Sequence, residues 1–377
     1  MLHGNWVVQL LKIVKNVSVR TKNNGVKKKK NKLGWWAQSF IDAKNLKGIS
    51  DSVNCRIDLL NEQVSKPIYN SFTIPKKTGG VREIQAPGIN LKYIQWRLSV
   101  IFNQLYQAPG GVHGFVAKTE NECYSILSNA QKHVNKKWVW NLDIKNFFWS
   151  ISTQKVANRF MLAPFNFEES KAKYISLMIG YERKLPMGSP CSPVVSNLVC
   201  EELDQQINDW VLYQNELFPG TNLVYTRYAD DITFSANLLI EEEQKEIIYY
   251  MLNQHGFEVN EKKDRTQSHK QAQWVTGVKV NEKPNLDRKY IRNIRAALHQ
   301  ARQKGLAQAT QNYFNLPDPP SPETTEQFLS VLRGKISHLG FVKGKDDQAY
   351  LKYWKEWREL KEEYISDLTS IALSDPS

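Results

Sequence analysis

The sequence predicts a mixed core of strands and helices, α/β or α+β in class, followed by a helical carboxy-terminal segment. Between about residues 70 and 285, short apolar runs with strand character alternate with longer runs of helical period. After Pro284 the helical period continues almost to the end of the sequence, broken by a loop at Asn315 to Pro322. With 377 residues, 41% of them apolar, the chain is long enough for one large core or for two or three lobes.

The predicted strands come in a definite order along the chain. Two strand-like runs lie between Phe72 and Ile84 on either side of Gly79-Gly80, which predicts a hairpin. Three later runs predict a strand, a hairpin that turns at Ala229-Asp230, and another strand: Trp138–Asp143, Leu223–Ser235 and Trp274–Val280. Helical periods between them predict four helices: Leu91–Tyr106, Thr153–Leu162 with Thr153 as its cap, Pro193–Trp210 and Leu238–His255.

The net charge of +13 is concentrated at the amino-terminal end. Residues 1–50 carry eleven Lys or Arg and one acid, Asp42, whereas the rest of the chain is nearly balanced. A basic excess favours polyanions, because binding releases counterions from phosphates. The pattern predicts an amphipathic helix at Trp6 to Val17 and a flexible basic arm at residues 18–34. No apolar run is long enough to span a membrane, and the cysteines show no metal-ligand spacing, so we expect a cytoplasmic location.

Three carboxylates carry the strongest chemical signal. Asp230 and Asp231 stand together in an apolar hairpin, where like charges repel and burial is costly. A bare Asp-Asp pair is most often a solvated turn, but Asp143 ends a predicted strand of the same core. A strand-end carboxylate and a turn with two more are what a two-metal phosphoryl-transfer site needs, and hard oxygen ligands suit Mg²⁺.

Four motifs resemble those of the reverse transcriptases in order and spacing, over about residues 70–285. They are Asp143-Ile-Lys-Asn-Phe-Phe148, Leu185-Pro-Met-Gly-Ser-Pro-Cys-Ser-Pro193 with Ser196-Asn197-Leu198, Tyr228-Ala-Asp-Asp231, and Gly256-Phe-Glu-Val-Asn260 with Lys262-Lys263. The resemblance implies an α+β right-hand polymerase with fingers, an α/β palm and a helical thumb. We expect a basic extension at 1–65, fingers and palm at 66–287, and an RNA-binding thumb at 288–377.

Two shorter elements narrow the resemblance to the bacterial retron reverse transcriptases. Asn129-Ala-Gln-Lys-His133 resembles their Asn-Ala-x-x-His element, and Val275-Thr276-Gly277 resembles their Val-Thr-Gly element. Both stand where that family has them, before the first catalytic Asp and after the last palm motif. The resemblance implies RNA contacts for both elements. For Asn129 and His133, a helix end with a polar cap would give the same pattern.

The resemblance also assigns roles at the reaction centre. Asp143, Asp230 and Asp231 are implied to hold two Mg²⁺ ions, with Asp231 the least direct ligand and the carbonyl of Ile144 as a further ligand. Phe148 matches the aromatic residue that would clash with a 2′-hydroxyl and select dNTP over rNTP. A Phe of the core, beside Phe147, would give the same sequence.

Further residues are implied to contact the nucleotide. Arg82, and Lys76 or Lys77, fall on the predicted fingers hairpin, where cations can neutralise triphosphate charge. Lys263 is a candidate proton donor to departing pyrophosphate, although Lys262 could equally point inward.

The nucleotide-contacting block of the family appears here with one departure. Met187 and Gly188 stand in it, but the family usually has Gln where this chain has Met187. Met cannot donate a hydrogen bond, which puts that contact in doubt.

The carboxy-terminal segment begins with two stripes of helical period. The basic stripe consists of Arg288, Arg292, Arg295, His299 and Arg302, and an apolar stripe offset by two residues consists of Tyr290, Ile294, Ala297 and Ala301. An offset of two is about 200° on a helix, so the stripes lie on opposite faces. One face is expected to pack and the other to bind duplex phosphates; a solvated basic face would look the same.

The retron resemblance implies partners that the residues alone do not show. These are dNTPs, a structured non-coding RNA that is both template and primer, and the DNA product joined to it through a 2′-hydroxyl. It also implies antiphage defence with a separate effector protein, and RNA removal by a host ribonuclease H. Two alternatives stay open: another prokaryotic reverse transcriptase, intron-encoded or diversity-generating, and a non-catalytic RNA-binding scaffold that guards an effector.

Overall fold

The computed structural model describes residues 34–76, 79–119 and 122–374, and it divides the chain into two compact units between Gln271 and Ala272. The amphipathic helix expected at Trp6 to Val17 lies outside the described residues, as do Lys77 and all of the basic arm except residue 34. None of the described helices is both long enough and apolar enough to cross a membrane.

The first unit opens with three short helices. They are α1 (Trp35–Asp42), α2 (Leu46–Ser52) and α3 (Ile57–Ser65). Asn45 caps α2, because its side chain accepts a hydrogen bond from the Gly48 amide at 2.9 Å. Phe40, Ile49 and Leu60 are buried in the same core as the residues of the central sheet. The second half of the expected amino-terminal extension therefore packs as part of this core.

The expected hairpin and the helix after it are confirmed. Strands β1 (Tyr69–Pro75) and β2 (Val81–Pro87) pair antiparallel, and Gly79 and Gly80 both have positive φ in the loop between them. Helix α4 (Ile89–Leu105) follows at once.

A four-stranded antiparallel sheet forms the centre of the first unit, in the order β4-β5-β3-β6. Its strands are β3 (Trp138–Asp143), β4 (Val224–Tyr228), β5 (Asp231–Ala236) and β6 (Arg265–Ser268). Strand β3 has the predicted bounds, and β4 and β5 form the predicted hairpin. On one face Trp140 stacks on Phe234 at 5.0 Å between ring centroids, with Tyr225 and Trp210 beside them. This aromatic cluster fixes that face against the helix that carries Trp210.

Five helices complete the first unit. They are α5 (Ile126–Gln131), α6 (Thr153–Phe160), α7 (Glu169–Ile179), α8 (Ser192–Leu217) and α9 (Glu242–Gln254). Helix α8 is the central one, because it contacts α4, α6, α9 and β4. Two sequence predictions were wrong in detail: Ser152 rather than Thr153 caps α6 by accepting from the Lys155 amide, and α9 begins at Glu242 rather than Leu238.

The second unit begins with a small hairpin and continues as four helices. Its elements are β7 (Trp274–Val275), β8 (Val278–Lys279), α10 (Arg288–Lys304), α11 (Leu306–Phe314), α12 (Pro322–Lys343) and α13 (Gln348–Ser374). The single strand predicted for this start was wrong, because Thr276 and Gly277 both have positive φ and reverse the chain. Asp287 caps α10 through the Lys289 amide, so the helical segment starts where the sequence placed it.

Candidate active site

The fold brings the three predicted carboxylates to one end of the central sheet. Strand β3 ends at Asp143, which is the direct cross-strand partner of Asp231 at the start of β5. The Ile144 amide donates to the Asp230 carbonyl at 3.0 Å, which ties the turn to the end of β3. Ala229 has φ of 58°, so the two-residue turn from Tyr228 to Asp231 is tight.

The charges of these carboxylates disturb one another. Burial raises the pKa of Asp230, and the charge of Asp143 raises it further. Asp231 keeps accessible surface, yet desolvation and then the charges of Asp230 and Asp143 raise its pKa to about 6. A bound cation would relieve this repulsion, and the site therefore favours positive charge.

One positive charge already comes from the protein. Lys263 Nζ lies 2.6 Å from Asp143 Oδ2, and Asn260 Nδ2 donates to Asp143 Oδ1 at 3.2 Å. Burial lowers the pKa of Lys263. Its hydrogen bond to Asp143 and the negative charges of Asp143, Asp230 and Asp231 outweigh that effect, so the pKa is raised overall. Lys263 rather than Lys262 is thus the lysine that reaches Asp143, although its side chain is 55% exposed. The contact places Lys263 where it holds Asp143, and the predicted proton donation stays a prediction.

The donor set suits Mg²⁺ in its chemistry, because all three side chains offer hard oxygen ligands at one strand end. In the part of the chain that the structure describes, no three His, Cys, Asp or Glu side chains converge closely enough to form a ready-made metal cage. Asp143 is instead engaged by Lys263 and Asn260. Metal binding by Asp143, Asp230 and Asp231, with the Ile144 carbonyl, stays a prediction.

The two neighbouring phenylalanines have different environments. Phe147 is 4% exposed and lies in the core, with its ring centroid 6.0 Å from that of Phe257. Phe148 is half-buried, with the ring of Phe115 at 6.0 Å. Phe148 is therefore the more accessible of the two rings.

The fingers hairpin lies against the Leu-Pro-Met-Gly block. The Gln85 amide donates to the Met187 carbonyl at 2.8 Å, and a Cβ added to Gly188 would lie 2.6 Å from the Gln85 carbonyl oxygen. Gly188 has φ of 134°, so this close approach requires glycine. The block contacts the fingers through its backbone, a contact that does not depend on the Gln expected at Met187.

The described cations of the fingers are exposed. Arg82 is exposed and lies on β2. Its positive charge lowers the pKa of Asp230, which partly offsets the increase caused by burial and by Asp143. Lys76 is exposed at the loop, where its amide donates to the Gly80 carbonyl. Arg82 is therefore the fingers residue with electrostatic influence on the carboxylates.

Asn129 and His133 lie inside the fold rather than at its surface. Asn129 is 1% exposed and His133 is 0% exposed. His133 makes two 2.7 Å hydrogen bonds, from Nδ1 to Ser235 Oγ and from Nε2 to Thr226 Oγ1. These partners belong to β5 and β4, the strands of the catalytic hairpin. Their burial is at odds with the predicted RNA contact, because a side chain enclosed by the sheet cannot reach a phosphate or base without rearrangement.

The remaining predicted RNA-binding residues lie in the second unit. Val275 is 1% exposed, and Thr276 and Gly277 form the turn between β7 and β8. On α10 the predicted stripes separate as expected, with Ile294, Ala297 and Ala301 buried. The residues of the basic stripe are all exposed: Arg288, Arg292, Arg295, His299 and Arg302. Arg302 also forms an ion pair with Glu359 of α13, so it is committed partly to the fold.

Three residues that shape the site were given no role from the sequence, although Asn260 stands in one of the motifs. Asn260 bonds Asp143, while Asp204 and Arg227 form a fully buried ion pair beside the catalytic turn. The sequence did hold a signal for Arg227, because a charged residue inside an apolar strand requires a buried partner. Nothing local in the sequence identifies Asp204 as that partner.

Comparison with known proteins identifies the family. A model of the family "Reverse transcriptase (RNA-dependent DNA polymerase)" matches residues 74–280, more than half of the chain. The Retron Ec86 reverse transcriptase of Escherichia coli is 30% identical over 236 residues, covering 61% of this chain and 69% of its own. The chain belongs to the reverse transcriptase family, and within it to the retron reverse transcriptases.

Two further relatives and one solved structure show the range of similarity. The Retron Mx65 reverse transcriptase of Myxococcus xanthus is 32% identical over 252 residues, covering 62% of this chain and 56% of its own. The Retron Se72 reverse transcriptase of Salmonella heidelberg is 27% identical over 306 residues, covering 78% and 75%. A telomerase from Candida albicans, in complex with a fragment of telomeric RNA, matches at TM-score 0.44 and 9% identity, covering 80% of this chain and 64% of its own. At that TM-score the likeness adds nothing to the family assignment.

Proposed function

We propose that the protein is an RNA-directed DNA polymerase with Asp143, Asp230 and Asp231 at its reaction centre. The observation that carries this proposal is the meeting of the three carboxylates at one strand end, in a chain of this family. Burial, and then the charges of the neighbouring carboxylates, raise the pKa of Asp230 and of Asp231, and two divalent cations would offset both effects. When bound, two Mg²⁺ ions would stabilise the attacking and leaving oxygens of nucleotidyl transfer.

The surrounding residues of the chain then bind and orient the substrates. Lys263 and Asn260 hold Asp143 in place. Arg82 supplies positive charge for a triphosphate from β2, within electrostatic range of Asp230. The half-buried ring of Phe148 excludes a 2′-hydroxyl, which selects dNTP over rNTP.

A primer-extension assay tests the polymerase. The full chain, freed of bound nucleic acid, is given an RNA template with an annealed DNA primer, dNTPs and Mg²⁺. Incorporation by the wild type and its loss in Asp230→Asn are expected. A folded wild-type protein that binds RNA without incorporating dNTP would be a non-catalytic scaffold, and the proposal would be wrong.

The natural template is proposed to be a structured non-coding RNA that also provides the primer. Support comes from the retron relatives and from the exposed basic face of α10, which suits duplex phosphates. Synthesis would start at a 2′-hydroxyl of that RNA and give a branched RNA–DNA product. A host ribonuclease H would remove copied RNA, and a separate effector protein would complete an antiphage system.

Sequencing of the nucleic acid that co-purifies with the protein tests this second step. A single RNA species joined covalently to DNA, with a junction that resists ribonuclease A, is expected. DNA that is not attached to RNA, or RNA of many unrelated sequences, would contradict self-priming and leave the polymerase proposal intact.

A further inference from the structure

A fully buried ion pair lies beside the catalytic turn. The side chains of Arg227 on β4 and Asp204 on α8 are both 0% exposed. Arg227 Nε donates to Asp204 Oδ1 at 2.7 Å and Nη2 donates to Oδ2 at 2.6 Å, so the contact is bidentate. Taking two charges out of water is costly, and well-packed apolar residues often stabilise a fold as well or better. Fold stability alone therefore gives little reason for this pair.

The guanidinium also reaches the turn itself. Arg227 Nη1 donates to the carbonyl of Ala229 at 3.2 Å and to Asn197 Oδ1 at 3.1 Å. Ala229 has φ of 58°, a left-handed conformation that non-glycine residues adopt rarely and keep only when neighbours hold it. The next residue in the chain is Asp230, whose amide is bonded to this carbonyl carbon. A shift at Ala229 would therefore move the catalytic carboxylates.

The loop that contains His113 and Gly114 packs against the same turn. The His113 amide donates to the Arg227 carbonyl at 2.9 Å, and Asn197 Nδ2 donates to the Gly114 carbonyl at 2.8 Å. A Cβ added to Gly114 would lie 2.3 Å from the Ala229 amide nitrogen. The backbone of the turn is thus confined between this loop and the guanidinium, and Asn197 is bonded to both.

We propose that Arg227 is a positioning residue, which sets the catalytic turn by holding the Ala229 carbonyl while Asp204 and Asn197 fix its guanidinium. The inference rests on the proposed polymerase function, because it concerns the placing of Asp230 and Asp231. A displacement of about 1 Å at a reacting group can lower a rate about 100-fold. Arg227 itself is fully buried, so it acts on the reaction through the turn.

The decisive variant removes the charges and keeps the packing. Asp204→Leu, Tyr225→Phe and Arg227→Met are combined, and the tyrosine is included because its hydroxyl donates to Asp204 Oδ1 at 2.6 Å. We expect a cooperative thermal transition, near wild-type RNA affinity, and a kcat about 100-fold lower on an annealed primer. Mn²⁺ binding to the nucleic-acid-free protein, followed by electron paramagnetic resonance, should weaken about tenfold because the carboxylates are displaced.

A second ion pair provides the matched control. Arg159 of α6 pairs with Glu201 of α8, with side chains 12% and 33% exposed. Arg159→Met with Glu201→Leu should keep the wild-type kcat and Mn²⁺ affinity. An equal loss in this control would show a general effect of lost core contacts and would overturn the proposal, as would wild-type kcat and Mn²⁺ affinity in the folded triple variant.

Arg227→Lys decides the matter if the triple variant does not fold. Lysine keeps a positive charge beside Asp204 but cannot make the bidentate contact and reach Ala229 as well. The same losses in kcat and in Mn²⁺ affinity are expected, and wild-type values would overturn the proposal. Absence of dNTP incorporation in the wild type would refute the proposed function instead, and the Mn²⁺ measurement would still decide whether Arg227 positions the carboxylates.

Discussion

Asp143 and Asp231 are directly opposed on neighbouring antiparallel strands, with no residue of offset between them. Like charges in such a pair destabilise a sheet, because their Cβ atoms are only about 4.5–5.5 Å apart. Asp230 adds a third carboxylate from the adjoining turn, and Lys263 supplies one compensating charge. This end of the palm therefore favours cation binding at some expense of fold stability.

Asp230→Asn is expected to separate activity from stability. The substitution removes a proposed metal ligand, so primer extension should fall on the order of 100-fold or more. Because burial and the charge of Asp143 raise the pKa of Asp230, the neutral amide should leave the thermal transition in metal-free buffer unchanged or higher. Extension assays and differential scanning calorimetry measure the two effects.

RNA affinity is the control for Asp230→Asn and should stay near the wild-type value. A variant that extends primers at a near wild-type rate would show that the reaction centre lies elsewhere. A lower thermal transition would show that the Asp230 carboxylate stabilises the fold. That result would contradict the destabilisation expected from its burial and from the charge of Asp143.

Phe148→Ala should raise rNTP incorporation relative to dNTP, because the half-buried ring would no longer clash with a 2′-hydroxyl. Phe147→Ala is the matched comparison, since that ring is 4% exposed in the core. It should cost about 3–5 kcal/mol of unfolding free energy and leave the sugar preference of the remaining folded protein unchanged. Single-nucleotide incorporation kinetics give the ratio, and an unchanged ratio in an active Phe148→Ala would remove this assignment.

Three of the four strands of the central sheet, and its carboxylates, were predictable because their signals are local, whereas the short strand β6 was not predicted. A strand run that ends in Asp143, and two strands around Ala229-Asp230, show the pattern within a few residues. The stripes of α10 were predictable for the same reason. Its place on the predicted fingers hairpin also singled out Arg82, whose electrostatic effect reaches Asp230.

What could not be predicted depends on contacts between distant parts of the chain. His133 bonds Ser235, which is 102 residues away in sequence, and Arg227 bonds Asp204 from another element. Polar residues near a helix end appear the same in sequence whether they face solvent or a sheet. The short hairpin at Thr276 and Gly277 was missed because its strands have only two residues each.

The exposed arginines of α10 are expected to contribute to RNA binding through phosphates. Arg292→Ala with Arg295→Ala should lower the slope of log affinity against log salt by about one per residue, if each contacts a duplex phosphate. Arg302→Ala is the comparison, and its effect on the slope should be smaller because Arg302 pairs with Glu359. Titrations of duplex RNA at several salt concentrations measure the slopes. Equal slopes for the wild type and the double variant would show that this face of α10 is a solvated surface that does not bind phosphates.

His133 is expected to act on the catalytic hairpin through packing rather than through RNA. It is fully buried and bonds both strands of that hairpin. His133→Ala would leave two hydroxyls without this partner and should cost about 2–4 kcal/mol of unfolding free energy. Self-primed synthesis and annealed-primer synthesis should then fall together. The same result is expected for the double variant that also carries Asn129→Ala. Loss of self-primed synthesis alone would instead restore the predicted role of this element in initiation.

The pH dependence of stability gives a second and independent test of His133. Burial first, and then the charges of His113 and Lys136, lower the pKa of His133 to about 3. The unfolded chain binds this proton near the ordinary pKa of about 6.5 while the folded protein does not, so stability is full above that pH. It should fall by about 1.4 kcal/mol per pH unit, for this one group, as the pH drops from about 6.5 towards 3. His113, with its pKa lowered to about 4 by burial and Lys132, adds to the same slope. His133→Gln should remove its share of the slope in urea titrations between pH 6.5 and 4.5. A wild-type slope in His133→Gln would mean that the pKa of this imidazole does not change on folding, and the buried hydrogen bonds of His133 to β4 and β5 would have to be rejected.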